Sequence, residues 1–192
     1  GHKGVIFPLL VRAVGVVSSI IGTYLVRTTE EARAAMKAIH VGFTVSALVS
    51  VLGFCLIGYY YLRFPGTEIL PGWISLGVAG LDMRPVWTTL VGIVLAISIN
   101  YLTDYFTAPE KPPVQFVARA TQTGHATTII NGIAVGFESS VWAALVIALA
   151  IFGSYVIYQG TNPTYIAYGV AMAGIGMLTL TGNNISMDVF GP

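Results

Sequence analysis

Asp188 and Asn184 stand four residues apart near the end of a long apolar stretch, a spacing that puts a carboxylate and an amide oxygen on one face of a helix. Oxygen donors of this kind suit a hard divalent cation or the waters around it. No charged side chain occurs between Tyr165 and Met187, so an ionised Asp188 must face water, protein or a metal rather than lipid. Thr179, Thr181, Gly182, Asn183, Asn184, Ser186 and Asp188 together make this end too polar for a lipid-facing surface. Such a run lines a wet cavity or serves as hydrogen-bond glue between packed helices. Metal-binding carboxylates rarely act alone, and no second one lies nearby in sequence. A site built on Asp188 is therefore expected to take further ligands from a larger assembly.

Three other polar groups interrupt apolar runs. Arg12 sits inside the first run, where an unpaired guanidinium costs about 2.5 to 3.5 kcal/mol on insertion scales. It needs a partner, unless its stem carries the charge out to the interface. Glu138, between Phe137 and Ser139, either lines the interior as a relay group or is protonated and packed. Asp104 lies at the end of the third run beside Thr103 and Tyr105, as a relay candidate or a solvated helix end. His125 has no His, Cys or carboxylate at ligand spacing, so capping is expected of it rather than metal binding. Catalytic motifs for phosphate loops, dinucleotides, zinc hydrolysis or a serine nucleophile are absent from the sequence.

The elements that position these groups follow from composition. The chain has 192 residues, 55% hydrophobic and only 9% charged, far from the roughly one-quarter charged of a soluble domain. Its apolar runs are continuous, not alternating, which selects helices over a transmembrane barrel. The expected fold is an all-α polytopic membrane bundle, one membrane domain over residues 1–192. Spans are expected at 5–26, 41–62, 86–106, 126–158 and 165–187, each near or above the ~20 residues a crossing needs. No signal peptide is expected, because no basic region followed by a small-residue cleavage site opens the sequence. Cys55 is the single cysteine, which removes internal disulfides and Cys-based metal sites. A net charge of +1 with scattered basic residues argues against nucleic acid.

Arg27, Arg33, Lys37, Lys111 and Arg119 fall in loops on one side, against Lys3, Arg63 and Arg84 on the other. The positive-inside rule puts the N-terminus outside and Asp188 at the cytoplasmic side. Thr28 to Ala38 is expected as a helical connector capped by Thr29. A short helix is expected over 114–119 after Pro109, Pro112 and Pro113. Trp73 and Trp87 suit an interfacial belt. Gly132, Gly136 and Ser140 form a small-residue face suited to close helix contact, with a weaker one at Gly169, Ala173 and Met177.

Four segments resemble the membrane-bound, ion-pumping pyrophosphatases: FPLLVRAVGV (7–16), LTDYFTAPEKPPVQFVARATQTGHATTII (102–130), GIAVGFES (132–139) and GIGMLTLTGNNISMDVFGP (174–192). They run in the family's order over essentially the whole chain. The resemblance implies a bundle of about sixteen helices in two concentric rings, helices being the elements that satisfy their own backbone groups in lipid. This chain is similar to the seventh to eleventh of them. It further implies Mg²⁺ as cofactor, pyrophosphate as substrate, a homodimer, and a prokaryotic cell membrane as location. Asp188 matches the aspartate that binds the Mg²⁺-pyrophosphate cluster, and Asp104 stands where many relatives carry Glu. The residues holding the nucleophilic water, the ionic gate and the position that sets potassium dependence lie outside this sequence, so H⁺ versus Na⁺ cannot be read from it. The isolated segment is then expected to be inactive, with Asp188 a metal ligand and not the base. The competing reading is a non-enzymatic small membrane transporter or helix-bundle interaction protein.

Overall fold

Inside hydrocarbon every backbone N–H and C=O must be paired within the protein, and a helix does this along its own length. The computed structural model describes residues 2–25, 32–64 and 72–181, with backbone alone at residues 25 and 32–40. Among them are seven α-helices and one 3₁₀ turn (Thr121–Thr123): α1 (His2–Leu25), α2 (Ala32–Tyr61), α3 (Gly72–Ser75), α4 (Arg84–Thr107), α5 (Pro112–Ala120), α6 (His125–Ile157) and α7 (Pro163–Leu178). Four stretches, in α1, α2, α4 and α6, are long and apolar enough to cross a membrane, and α7 is a shorter apolar helix. The all-helical membrane class read from composition is what the chain adopts.

Local chemistry sets the boundaries. Pro112 and Pro113 open α5, where a missing N–H leaves nothing unsatisfied. Asn162 caps α7 by accepting the Thr164 N–H at 3.2 Å, ahead of Pro163 in the first turn. The connector helix expected over 28–38 is, from Ala32 onward, the beginning of α2 itself, one helix of 30 residues; Thr29 lies outside the described residues. His125 does not cap α6. It follows the N-cap Gly124, whose carbonyl instead accepts the Thr127 and Thr128 hydroxyls at 2.8 and 3.0 Å. Residues 182–187 of the span expected to 187 lie outside the described residues, and the described α7 runs to Leu178. There the Thr179 and Thr181 hydroxyls donate back to the Gly176 and Leu178 carbonyls, the local competition by which threonine loosens a helix.

The helices alternate in direction. Lys3 donates to the Arg63 carbonyl and Tyr168 to the Gly4 carbonyl, so the start of α1, the end of α2 and the start of α7 share one end of the bundle. A single antiparallel bridge, Arg63 to Leu81, ties the α2–α4 connection there. Phe7, Val11, Phe43, Ala47, Phe54, Ile93 and Met172 form the shared core. Burial of such groups drives association weakly in a bilayer, since lipid is as apolar as leucine, so close packing and hydrogen bonds must decide.

Close packing is most severe between α4 and α7, the most extensive helix pair. A Cβ added at Gly92 would overlap the Ala173 carbonyl oxygen, and one at Gly176 would overlap the Thr89 carbonyl oxygen. The two backbones touch because both positions are glycine. Gly22 on α1 likewise sits 2.9 Å, at its ideal Cβ, from the Gly42 carbonyl oxygen of α2, and the buried hydroxyls of Ser18 and Ser50 meet at 2.6 Å along the same α1–α2 seam. Gly92→Ala would gain about 1 kcal/mol of helix propensity. It would lose about 1 to 3 kcal/mol to overpacking against a backbone that cannot rotate away. The expected outcome in detergent is a lower thermal midpoint for Gly92→Ala and an unchanged or higher one for Gly174→Ala, where no atom lies within 4 Å. Equal midpoints for the two variants would refute the backbone contact.

Candidate functional site

The last carbonyls of a helix have no partner within it and must find donors elsewhere. At the end of α7 those donors come from α1. Arg12 donates through Nη1 to the Leu178 carbonyl, and the Ser19 hydroxyl donates to the Thr179 carbonyl at 3.4 Å. Gly15 lets α1 approach, since a Cβ there would lie 2.8 Å from the Thr179 Cβ. Thr179 and Leu180 are buried at this junction. A guanidinium at a helix C-terminus also meets the negative end of the helix dipole. The partner that Arg12 takes is thus a backbone carbonyl of α7, bonded at the exposed edge of the α1–α7 contact. Beside the junction lies a cavity of about 610 Å³ lined by Arg12, Ser19, Thr23, Thr179 and Thr181. Among the described residues no carboxylate pairs with Arg12.

The other end of the bundle holds a second polar group, which sequence reasoning missed. Arg84 Nε lies 3.2 Å from Asp82 Oδ1, and the same oxygen accepts the Arg84 N–H at 3.1 Å. The guanidinium covers the Tyr158 ring at 5.9 Å. Burial pushes the Tyr158 phenol up, and the neighbouring Asp82 charge pushes it further, so the group stays protonated throughout the physiological range. These residues line a cavity of about 670 Å³ with Asn162, Tyr165 and Tyr168. With the Arg84 and Asp82 charges paired and the guanidinium over the Tyr158 ring, the cluster fastens the start of α4 to the end of α6. Asp82 and Arg84 are two residues apart, but nothing in the sequence signals that Tyr158 joins them.

The residues singled out from sequence are not all brought together. Asn184 and Asp188 lie outside the described residues. Asp104 is half-buried in the last turns of α4, and Glu138 is exposed on α6. No ion pair joins Arg12, Asp104 and Glu138, which sit on three different helices. Among the described residues no three His, Cys, Asp or Glu side chains converge as a metal site. Gly132 and Gly136 have nothing within 4 Å of an added Cβ, so that small-residue face is open. Gly169 is the reverse case, pressed on the Tyr158 ring with its Cβ position 2.5 Å from Cδ2.

The sequence profile of the family described as inorganic H⁺ pyrophosphatase matches residues 1–192. The chain is 45% identical, over 98% of its length, to a K⁺-insensitive pyrophosphate-energized proton pump of Chloroflexus aurantiacus, and covers 23% of that protein. It is 39% identical over its whole length to the pump of the same description from Streptomyces coelicolor, covering 24% of it. A pyrophosphate-energized proton pump 2 of Mycoplana dimorpha is 34% identical over 97% of the chain, which covers 83% of that protein. The chain thus spans about a quarter of the length of the first two of these relatives.

Proposed function

Because the chain belongs to the inorganic H⁺ pyrophosphatase family, we propose that it is part of an integral-membrane pump that couples Mg²⁺-dependent hydrolysis of inorganic pyrophosphate to outward movement of protons. The single observation that carries this reading is the family match across all 192 residues. Six relatives from 33% to 45% identity are named as K⁺-insensitive proton pumps, and one at 34% is named as a proton pump without reference to K⁺. One named as a putative K⁺-stimulated sodium pump stands at 29%. That order favours protons as the transported ion, potassium independence and a prokaryotic cell membrane.

Within the parent protein, Asp188 and Asn184 would hold Mg²⁺, a fit that rests on their donor chemistry, one anionic and one amide oxygen at helical spacing. Bound Mg²⁺ supplies neutralisation of phosphate charge during the displacement. Asp188 acts as ligand and the nucleophilic water is oriented from elsewhere, so the 192 residues alone are expected to be inactive. The N-terminus faces outside and Asp188 the cytoplasm, in line with the five-to-three bias of basic residues between the two sides.

The parent is a homodimer in this reading, with α6 at the two-fold contact. Support comes from the exposure of α6, of which only 11% is buried across its most apolar window. Its open Gly132, Gly136 and Ser140 face is suited to a second copy of itself. Glu138 points about 200° away from Gly136 at 100° per residue, so its carboxylate needs cover from a different part of the protein.

Four outcomes test the reading. Asp188→Asn in the full-length protein is expected to abolish pyrophosphate hydrolysis while the enzyme remains folded, and wild-type hydrolysis is expected to be indifferent to K⁺. A rate within about tenfold of wild type for Asp188→Asn, roughly 1.4 kcal/mol, refutes the ligand assignment. For topology, an impermeant thiol reagent added outside should label Thr67→Cys and spare Glu110→Cys; the opposite pattern inverts the orientation. For the dimer, Gly136→Leu should shift detergent-solubilised protein toward monomer, whereas Gly169→Leu, which strikes Tyr158 within the chain, should lower thermal stability without that shift. Unchanged association in Gly136→Leu excludes α6 from the interface.

A further inference from the structure

The start of α1, the end of α2, the start of α4, the end of α6 and the start of α7 all border the cavity of about 670 Å³ that holds Arg84 and Asp82. Its size falls within the roughly 300 to 1,000 Å³ of small-molecule sites. Four of these helices are long and apolar enough to cross a membrane, so a cavity at their ends lies at the depth of lipid headgroups rather than of acyl chains. It opens on the outside of the bundle, since Tyr165 and Val5 in its lining are 60% and 72% exposed. Leu9, also exposed, follows Val5 by one turn of α1 and continues an apolar track from the cavity toward the hydrocarbon.

The charges in the lining are Arg84 and Asp82, and their pairing leaves part of each unused. Asp82 Oδ1 makes both contacts to Arg84, one to Nε and one to the backbone N–H. Among the described residues no donor meets Oδ2 and no acceptor meets the Nη groups of Arg84. Lys3 stands outside the lining, with its ammonium on the Arg63 carbonyl and over the Phe64 ring at 5.4 Å. The cavity therefore presents guanidinium N–H groups and a carboxylate oxygen side by side with no net charge, next to the Asn162 amide and the Tyr165 ring. A ligand that matches it carries an anion and a cation the same short distance apart. Guanidinium N–H groups suit a phosphate, and a carboxylate beside an aromatic ring suits an ammonium. We propose that this cavity binds the headgroup of phosphatidylethanolamine, with the phosphate on Arg84, the ammonium on Asp82 and Tyr165, and an acyl chain along Val5 and Leu9. Phosphatidylglycerol would keep the phosphate contact but bring no cation to Asp82. Phosphatidylcholine would bring a cation without an N–H to donate. The match holds whichever side of the membrane this end of the bundle faces.

The test uses the full-length parent protein, delipidated in detergent and given phosphatidylethanolamine, phosphatidylcholine or phosphatidylglycerol with matched acyl chains. Bound lipid is read by native mass spectrometry and stabilisation by the thermal midpoint. Phosphatidylethanolamine is expected to bind about tenfold more tightly than either of the others and to raise the midpoint most. Asp82→Asn removes the carboxylate and leaves the Arg84 charge unneutralised, so the preference is expected to turn to phosphatidylglycerol. Equal binding of the three lipids by the unmodified protein, no bound lipid, or an unchanged preference in Asp82→Asn overturns the proposal. If Asp82→Asn does not accumulate, Thr164→Trp keeps the ion pair and fills the cavity from the exposed first turn of α7. It is expected to weaken phosphatidylethanolamine binding about tenfold, and binding as tight as in the unmodified protein overturns the proposal there too. Free phosphoethanolamine separates a lipid from a soluble ligand. It is expected to compete only at about a hundredfold or more above the lipid concentration, because it has no chain to bury. Competition at equal concentration gives the site to a soluble zwitterion and overturns the lipid assignment.

Discussion

A peptide carbonyl inside a bilayer must be met by a donor from the protein, and the arrangement at the end of α7 follows from that demand. The described α7 has 16 residues, and the carbonyls of Leu178 and Thr179 lie beside the middle of α1. The polar residues on that face of α1, Arg12 and Ser19, are intelligible as the answer. Without α7 they would be an expensive charge and a stray hydroxyl in an apolar helix. With it, each donates to a carbonyl at the end of α7, and the guanidinium meets the negative end of that helix's dipole.

This arrangement presupposes that α7 is held in place independently, and α4 does so. The contact at Gly92 and Gly176 brings two backbones together and leaves neither helix able to slide without a clash. The fit is steric, and it suits an environment where hydrophobic burial discriminates little between a protein neighbour and a lipid one. Thr88 and Thr89 belong to the same logic. Both are fully buried and donate to carbonyls of their own helix, Thr89 to Pro85 at 2.7 Å. Their polar atoms are thereby satisfied, and the contact surface is left to carbon atoms and bare backbone.

Much of this was legible in the amino-acid sequence. Continuous apolar runs announced the membrane helices, a short helix was expected at 114–119 where α5 runs from Pro112 to Ala120, and Arg12 declared its need for a partner by its position alone. Which partner it takes was not legible, because a carbonyl 166 residues away in sequence carries no side-chain signal. The Gly92 and Gly176 contact was missed for a related reason. Each is a single glycine in its local register, and only the two together, on different helices, make a close approach. The small-residue series that did draw attention, Gly132 to Ser140, has no close neighbour at Gly132 or Gly136 among the described residues. Tyr158 read as one aromatic among many at a helix end, and its place under Arg84 comes from the return path of the chain. As for Asp188 and Asn184, whose chemistry was the first thing apparent, they lie outside the described residues, and their role rests on donor type and family membership.

The length of α6 has a mechanical consequence. Its 33 residues make a rod of about 50 Å at 1.5 Å per residue, against a hydrocarbon core of about 30 Å. Even tilted by 40°, the upper end of the usual range, it would still cover nearly 40 Å of depth. Part of the rod therefore stands clear of the lipid tails, with α5 packed against it. Its far portion is fixed to α4, where Gly153 faces Val91, and finishes at the cluster of Tyr158, Arg84 and Asp82. Because α6 is unbroken from His125 to Ile157, the α5 side of the membrane and the polar cluster at the opposite side are spaced by one continuous helix.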